Sequence, residues 1–321
     1  MSELLKLSQL IESEITKIEF PSSPRNLYDP LNYFLSNGGK RLRPVLTLLA
    51  TELGGVQKED AINCALAIEV FHNFSLIHDD IMDAAPIRRG KVTVHEKWNS
   101  NIAILSGDVL LVKAYQLLAN QKSQHIPELL TLFNKTAIEV CEGQQMDMDF
   151  ETSEFVTVDE YIKMIRLKTS VLLGCALEFG FIVSNNSISN RKKIYDFGVN
   201  IGIAFQIQDD LLDLYGNPDK VGKQVGGDVK SNKKTLLYLI AEKNAVGDLR
   251  EKLNQVKSEL DLNSKVSATQ EIYEALGVKI ETKSYLDRYY QQAIDLLDSI
   301  ETESDKSAIM EMVNYLFNRE H

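Results

Sequence analysis

Apolar residues recur at threes and fours along most of the chain. "AINCALAIEVFHNFSLIHDDIMD" (61–83) and "LLTLFNKTAIEVCEG" (129–143) both carry the spacing of an α-helix with a buried face. Other stretches, "VLLGCALEFGFIV" (171–183) and "FGVNIGIAFQIQDDLLDLY" (197–215), are apolar nearly all round, as expected of helices in the middle of a large bundle. Alternating β-branched runs and hairpin turn pairs are scarce. No proline lies between Pro127 and Pro218, which leaves room for long unbroken helices. Loops are expected at Pro21–Asp29, Ala84–Thr93, Gln121–Pro127, Ser184–Asn190 and Tyr215–Asn232. No low-complexity linker and no solenoid-length repeat divides the chain. The pattern predicts an all-α helical bundle, one large single domain over residues 1–321.

Composition narrows the function classes. The 321 residues carry a net charge of −11, which argues against a nucleic-acid partner, since phosphate backbones are bound by basic surface. Cys64, Cys141 and Cys175 are too few and too scattered for a disulfide framework, so a reducing, cytoplasmic location is expected. "MSELLKLSQLIESEITKIEF" has no basic start or apolar segment of a leader. The apolar stretch "SVLLGCALEFGFIV" is too short to cross a membrane and contains Glu178, so no membrane span is expected.

Chemistry enters with "LIHDDIMDAAPIRRG" (76–90). Asp79 and Asp83 share a helix face, with Asp80 about 100° around. Like charges at that spacing destabilise a bare helix, so cations should compensate them, with Arg88 and Arg89 as candidates. A second copy, Asp209, Asp210 and Asp213, follows another apolar helix 130 residues on. Two identical carboxylate clusters on buried helices point to hard divalent cations, Mg²⁺ above all, held together with substrate phosphates. No Cys/His group has zinc-ligand spacing, and the histidines are scattered (His72, His78, His95, His125, His321), which argues against zinc. Cations recur in "GGKRLRP" (Lys40, Arg41, Arg43), "PIRRGK" (Arg88, Arg89), "RLKTS" (Lys168, with Thr169) and "GKQVGGDVKSNKKT" (Lys223, Lys233, Lys234). Guanidinium and ammonium groups beside glycines suit oligophosphates. Together these residues imply a site for two diphosphates, one held through Mg²⁺ and one held directly by Lys and Arg.

In order and spacing, "GGKRLRP", "DDIMD…RRG", "GQQMD", "KT", "FQIQDDLLD" and "GKQVGGDVKSNKKT" resemble the all-trans polyprenyl diphosphate synthases, farnesyl and geranylgeranyl diphosphate synthases among them. The resemblance implies an isoprenoid-synthase bundle around a central cavity, a homodimer, and head-to-tail condensation of isopentenyl diphosphate with an allylic diphosphate. Asp79, Asp83 and Asp209 then look like ligands of about three Mg²⁺ ions, with Asp80, Asp210 and Asp213 in support. Arg88, Lys168 and Lys223 resemble the allylic-diphosphate contacts, and Lys40, Arg43, His72 and Arg89 the isopentenyl-diphosphate site. Thr169, Gln206 and Lys233 match positions near the reacting carbons and the leaving group, and Gln144 with Asp147 match the family's "GQxxD". One departure is Leu237, where many members carry proline.

Product length is expected to depend on residues before Asp79. Ser75, Phe74 and Phe71 lie four, five and eight positions earlier, so Phe74 sits about 7.5 Å below the acidic motif at helical rise. In the family, one aromatic at the fifth position with a small residue at the fourth resembles geranylgeranyl (C20) producers. Farnesyl (C15) is the alternative product. The helix from Ile104 to Leu118, with Leu105, Val109, Val112 and Tyr115, is expected to form the opposite wall. Rival readings are a di-iron bundle, from Glu69 and His72, a non-catalytic synthase subunit and a terpene cyclase. The first needs a second ExxH pair, and the second would have lost aspartates. A cyclase would not pair "GGKRLRP" with a second DDxxD.

Overall fold

The computed structural model describes residues 3–216 and 226–317. Their regular structure is helical except for one antiparallel pair of two-residue strands, β1 (Ile87–Arg88) and β2 (Lys91–Val92), in the register Ile87 to Val92 and Arg88 to Lys91. The chain divides into two compact units, each assembled from separate segments: Met1–Asn134, Cys175–Lys192 and Glu301–Ile309 in the first, Lys135–Gly174, Lys193–Ile300 and Met310–His321 in the second.

The first unit holds α1 (Glu3–Ile15), α2 (Arg25–Leu35), α3 (Leu42–Leu53), α4 (Ile62–Met82), α5 (Val94–Lys97) and α6 (Ser100–Ala119). Its centre is α4, where every residue from Cys64 to Phe71 is buried. A helix without a wet face must be surrounded by others. Among them, α6 presents Ala103, Ser106, Gly107, Leu110 and Ala114 as its buried face, and small residues there let the two helices approach closely. Asn99 caps α6 by accepting a hydrogen bond from the Ile102 amide at 2.9 Å.

By length and composition α6 could cross a membrane, which makes it, and not the 170–183 stretch, the most membrane-like segment among the described residues. The expectation for its wall-forming residues also needs correction. Leu105 and Val112 are 58 % and 57 % exposed, on the face turned away from the small buried residues.

α7 (Ile126–Thr152), α9 (Val171–Val183) and α10 (Ile188–Tyr215) have residues in both units, and the last two lie wholly within the proline-free stretch between Pro127 and Pro218. The second unit adds α8 (Val158–Ile165), α11 (Gly227–Lys230), α12 (Leu236–Asn244), α13 (Gly247–Val256), α14 (Leu262–Ala275) and α15 (Val278–Asp298). α16 (Ser307–Phe317) ends the described chain. Thr157 and Glu160 form a reciprocal capping box that starts α8. α8 then runs through one π-helical turn, Arg166–Ser170, into α9.

Several expected loops are shorter than predicted. α2 begins at Arg25, α7 at Ile126 and α10 at Ile188, because proline or serine residues that read as loop serve as the helix starts. Leu237 is buried in the first turn of α12, so the residue in the usual proline position packs as core.

Candidate active site

The first acidic motif closes α4. Asp80 is buried, Asp79 is about one-fifth exposed, and Asp83 is the exposed residue that caps the helix, its amide bonded to the Asp79 carbonyl at 2.9 Å. The chain then turns sharply: the Ala85 amide bonds the Asp80 carbonyl and the Thr93 hydroxyl bonds the Ala85 carbonyl. This turn brings β1 back over the helix end. Arg88 Nε donates to Asp80 Oδ1 at 2.6 Å and Nη2 to Asp79 Oδ2 at 3.1 Å. Arg88 is therefore the compensating cation. Burial pushes the Asp80 carboxyl up, and Arg88 opposes that shift. Asp80 Oδ2 is buried without a hydrogen-bond partner.

Arg89, expected to share that role, points elsewhere and donates to the Gly38 carbonyl. Gly39 leaves room for this approach, since a Cβ there would lie 2.9 Å from Arg89 Nη1 and the guanidinium would have to shift. Arg43 Nη1 lies 3.1 Å from His72 Nε2. Guanidinium can only donate, so His72 accepts at Nε2 and carries its proton on Nδ1. Burial and the neighbouring Arg43, Arg89, Arg88 and Arg41 hold His72 well below the usual histidine range, keeping it neutral. Burial likewise lowers Arg43, to about 10. Lys40, three residues before Arg43 in the chain, is exposed.

Between Lys40 and Arg43, Arg41 has a different role. It is 2 % exposed, in a left-handed backbone conformation, and bonds Glu69 Oε1 at 2.6 Å, Glu12 Oε1 at 2.7 Å and the Leu35 carbonyl at 3.2 Å. Glu69 is thereby committed to Arg41, and His72 to Arg43. The ExxH pair is not a di-iron site.

The second motif closes α10 in the second unit. Asp210 is buried, accepting from the Tyr161 hydroxyl and, at 3.2 Å, from Gln206 Nε2. Burial, then Asp228, pushes its carboxyl up to about 7, against the two hydrogen bonds. Asp213 holds the start of α11: its Oδ2 accepts the Asp228 amide at 3.0 Å and its carbonyl the Gly226 amide at 2.7 Å. Asp209 is half-buried. Lys168 and Thr169 sit on the π turn, with Lys168 Nζ 2.6 Å and Lys233 Nζ 3.9 Å from Asp147 Oδ2. Gln144 Nε2 is buried without a partner. Lys223 lies outside the described residues.

The π turn is pinned from two sides. A Cβ on Gly143 would lie 2.2 Å from the Lys168 amide nitrogen, and one on Gly202 2.7 Å from Ser170 Cα. Such turns widen a helix locally and recur at functional sites. Gly143, Gly202 and Tyr161 are absent from the residues expected to act, and Arg41, expected among the diphosphate-binding cations, is instead turned inward to Glu12 and Glu69. For the glycines the signal was present, since both lie in or beside motifs; for Tyr161, 49 residues from Asp210, no spacing rule applies.

Below the first motif, three rings line one face of α4. Phe74 meets Phe71 at 5.5 Å between centroids and His78 at 4.7 Å. Phe71, 1 % exposed, is backed by Phe133 at 5.1 Å, which in turn meets Tyr115. Phe74 and Ser75 are half-buried, and the Ser75 hydroxyl is turned onto the His72 carbonyl at 2.9 Å.

Could this acidic set hold Mg²⁺? The donors are hard oxygens, and a buried carboxylate oxygen stands unpartnered at Asp80. Among the described residues no three His, Cys, Asp or Glu side chains gather closely enough to hold a metal by themselves. That fits Mg²⁺, which takes few protein carboxylates and completes its shell with water and substrate phosphate.

An all-helical chain with two aspartate motifs and glycine-supported cations defines a diphosphate-handling class of helical enzymes, and the comparisons narrow it. A family profile described as polyprenyl synthetase matches residues 24–276. The geranylgeranyl pyrophosphate synthase of Geoglobus acetivorans is 34 % identical over 331 residues, covering all of both chains. The short chain isoprenyl diphosphate synthase of Methanothermobacter thermautotrophicus is 35 % identical over 322 residues, covering all of this chain and 99 % of its own. A crystal structure of a geranylgeranyl pyrophosphate synthase superposes with a TM-score of 0.92 at 41 % identity, covering 100 % of this chain and 99 % of the other. The chain belongs to the polyprenyl synthetase family and is a prenyl-transferring enzyme of its short-to-medium-chain kind.

Proposed function

We propose that the enzyme makes geranylgeranyl diphosphate, adding isopentenyl diphosphate head to tail onto allylic diphosphates. The carrying observation for product length is the ring stack under Asp79: half-buried Phe74 on buried Phe71, with the small Ser75 beside it. Full-length relatives named as geranylgeranyl synthases support the same reading. Farnesyl diphosphate is the second reading; in the family it goes with aromatics at both the fourth and fifth positions before the motif, and here Phe74 supplies one of them while Ser75 does not supply the other.

Mg²⁺, about three ions by family resemblance, would be held by Asp79, Asp83 and Asp209 and would neutralise charge on the departing diphosphate. By the family resemblance, Arg88, Lys168 and Lys223 would hold that diphosphate with Lys233 near the leaving group, and Lys40, Arg43, Arg89 and neutral His72 would hold the isopentenyl diphosphate. Asp80 fixes Arg88, while Asp210 and Asp213 hold the end of α10 and the start of α11. The allylic C–O bond breaks, the isopentenyl double bond attacks the resulting cation, and the proton leaves with the released diphosphate. Preorganised cations at the point where charge develops are the main catalytic device. Thr169 and Gln206 border the reacting carbons. We further take the chain as one synthase domain acting in the cytoplasm, as a homodimer that uses the exposed apolar face of α6.

Purified enzyme with labelled isopentenyl diphosphate and C5, C10 or C15 allylic diphosphates tests this. A dominant C20 product, abolished by EDTA without change in helical circular dichroism and restored by Mg²⁺, is expected. A C15 product moves the floor up, and no condensation with any starter overturns the reading.

A further inference from the structure

His78, the residue just before the first acidic motif, has no place in the diphosphate chemistry, yet its surroundings are constructed. Its ring meets Phe74 edge to face, centroids 4.7 Å apart and planes at 63°. On the far side its Nε2 lies 3.1 Å from the Ile104 carbonyl and 3.8 Å from Asp108 Oδ1, both on α6. A carbonyl only accepts, so Nε2 carries the proton and donates. The imidazole fits there because α6 has no side chain at Gly107: a Cβ would lie 2.4 Å from Nε2 and 2.6 Å from Cδ2. Phe74 is therefore gripped by Phe71 on one side and on the other by a ring seated against helical backbone.

A half-buried phenylalanine held on one side only could swing among rotamers. We propose that His78, seated in the notch at Gly107, is a specificity-positioning residue: it locks Phe74 across the path of the growing prenyl chain and so sets product length. This rests on the reading of Phe74 as the floor. The hydrogen bond to Ile104 fixes the imidazole, and its edge fixes Phe74. The notch also sets the direction of change. Emptying the His78 position frees Phe74 to move aside and lengthens the product, whereas filling the notch pushes the imidazole toward Phe74 and shortens it.

The test is the product distribution of five variants with a C15 starter, each checked for its melting temperature. Phe74→Ala lengthens products if the floor reading holds. His78→Ala raises the ratio of C25 to C20 about three- to tenfold, the size expected from losing one edge-to-face pair. His78→Phe, which keeps a ring against Phe74 but loses the bond to Ile104, falls between wild type and His78→Ala, and Phe74→Ala/His78→Ala matches Phe74→Ala alone. Gly107→Ala, assayed instead with a C10 starter, shifts products from C20 toward C15; should it fail to fold, the His78 and Phe74 variants decide the matter. If Phe74→Ala lengthens products and His78→Ala leaves C20 dominant, the inference is overturned while the floor stands. If Phe74→Ala itself leaves C20 dominant, the floor reading falls and this inference with it.

Discussion

His72 shows how a single proton can be read from geometry. It accepts from Arg43 and is surrounded by arginines, so its charged form is strongly disfavoured in the folded enzyme. With a folded pKa well below the unfolded 6.5, the unfolded chain binds the extra proton first. Stability is therefore complete above about pH 6.5 and is lost as pH falls, at up to about 1.4 kcal/mol per pH unit. Urea unfolding at pH 7.5 and 5.5 checks this, and His72→Gln, which can still accept from Arg43, removes its share of the slope. Asp210 runs the other way, with a folded pKa of about 7 above its unfolded 3.8. It contributes stability below about pH 4 that is lost as pH rises through 7. Tyr161→Phe deletes a donor that favours the ionised form and raises this pKa further. The variant should lose about 1 kcal/mol at pH 6 and more, about 2 kcal/mol, at pH 8, measured in EDTA. An equal loss at both pH values would mean that Asp210 does not titrate there.

At the scale of elements, long helices were legible because prolines were missing from 128–217 and apolar residues kept helical spacing. What stayed hidden depends on atoms from distant segments. The two-residue strands that carry Arg88 have no alternation to detect, and the π turn looks like ordinary helix in "RLKTS". Arg41 reads like its neighbours Lys40 and Arg43, yet its left-handed backbone points it inward to Glu12 and Glu69. The aspartate motifs were legible because repetition is visible in one dimension, whereas Tyr161 was not. The π turn yields its own prediction. In Gly143→Ala the new methyl meets backbone at Lys168 and Leu167, which cannot swing away as a side chain can. Overpacking of this kind costs about 1–3 kcal/mol and displaces Lys168 and Thr169. Turnover should fall at least about tenfold, more than the stability loss explains, when both are measured on the same preparation. Unchanged turnover would show that the π turn only packs.

For the whole molecule, α6 poses an energetic question. Ile104, Leu105 and Val112 leave 42 %, 58 % and 57 % of their surface uncovered along one helix face. A lone exposed leucine is ordinary, but three large apolar side chains exposed on one 20-residue helix offer a surface that a partner can cover. Length and mean apolarity alone would allow a lipid covering. Against that, Asp108 lies exposed within the stripe and would be costly in hydrocarbon, whereas at a two-fold axis it can remain at the rim. An isologous pairing of this face with a second copy covers the leucine and valine and keeps the carboxylate wet. The wild-type enzyme is then expected to sediment as a dimer, and Leu105→Glu/Val112→Glu as a monomer with unchanged helical circular dichroism. A wild type that sediments as a monomer, or that floats with vesicles, would instead assign the stripe to another partner.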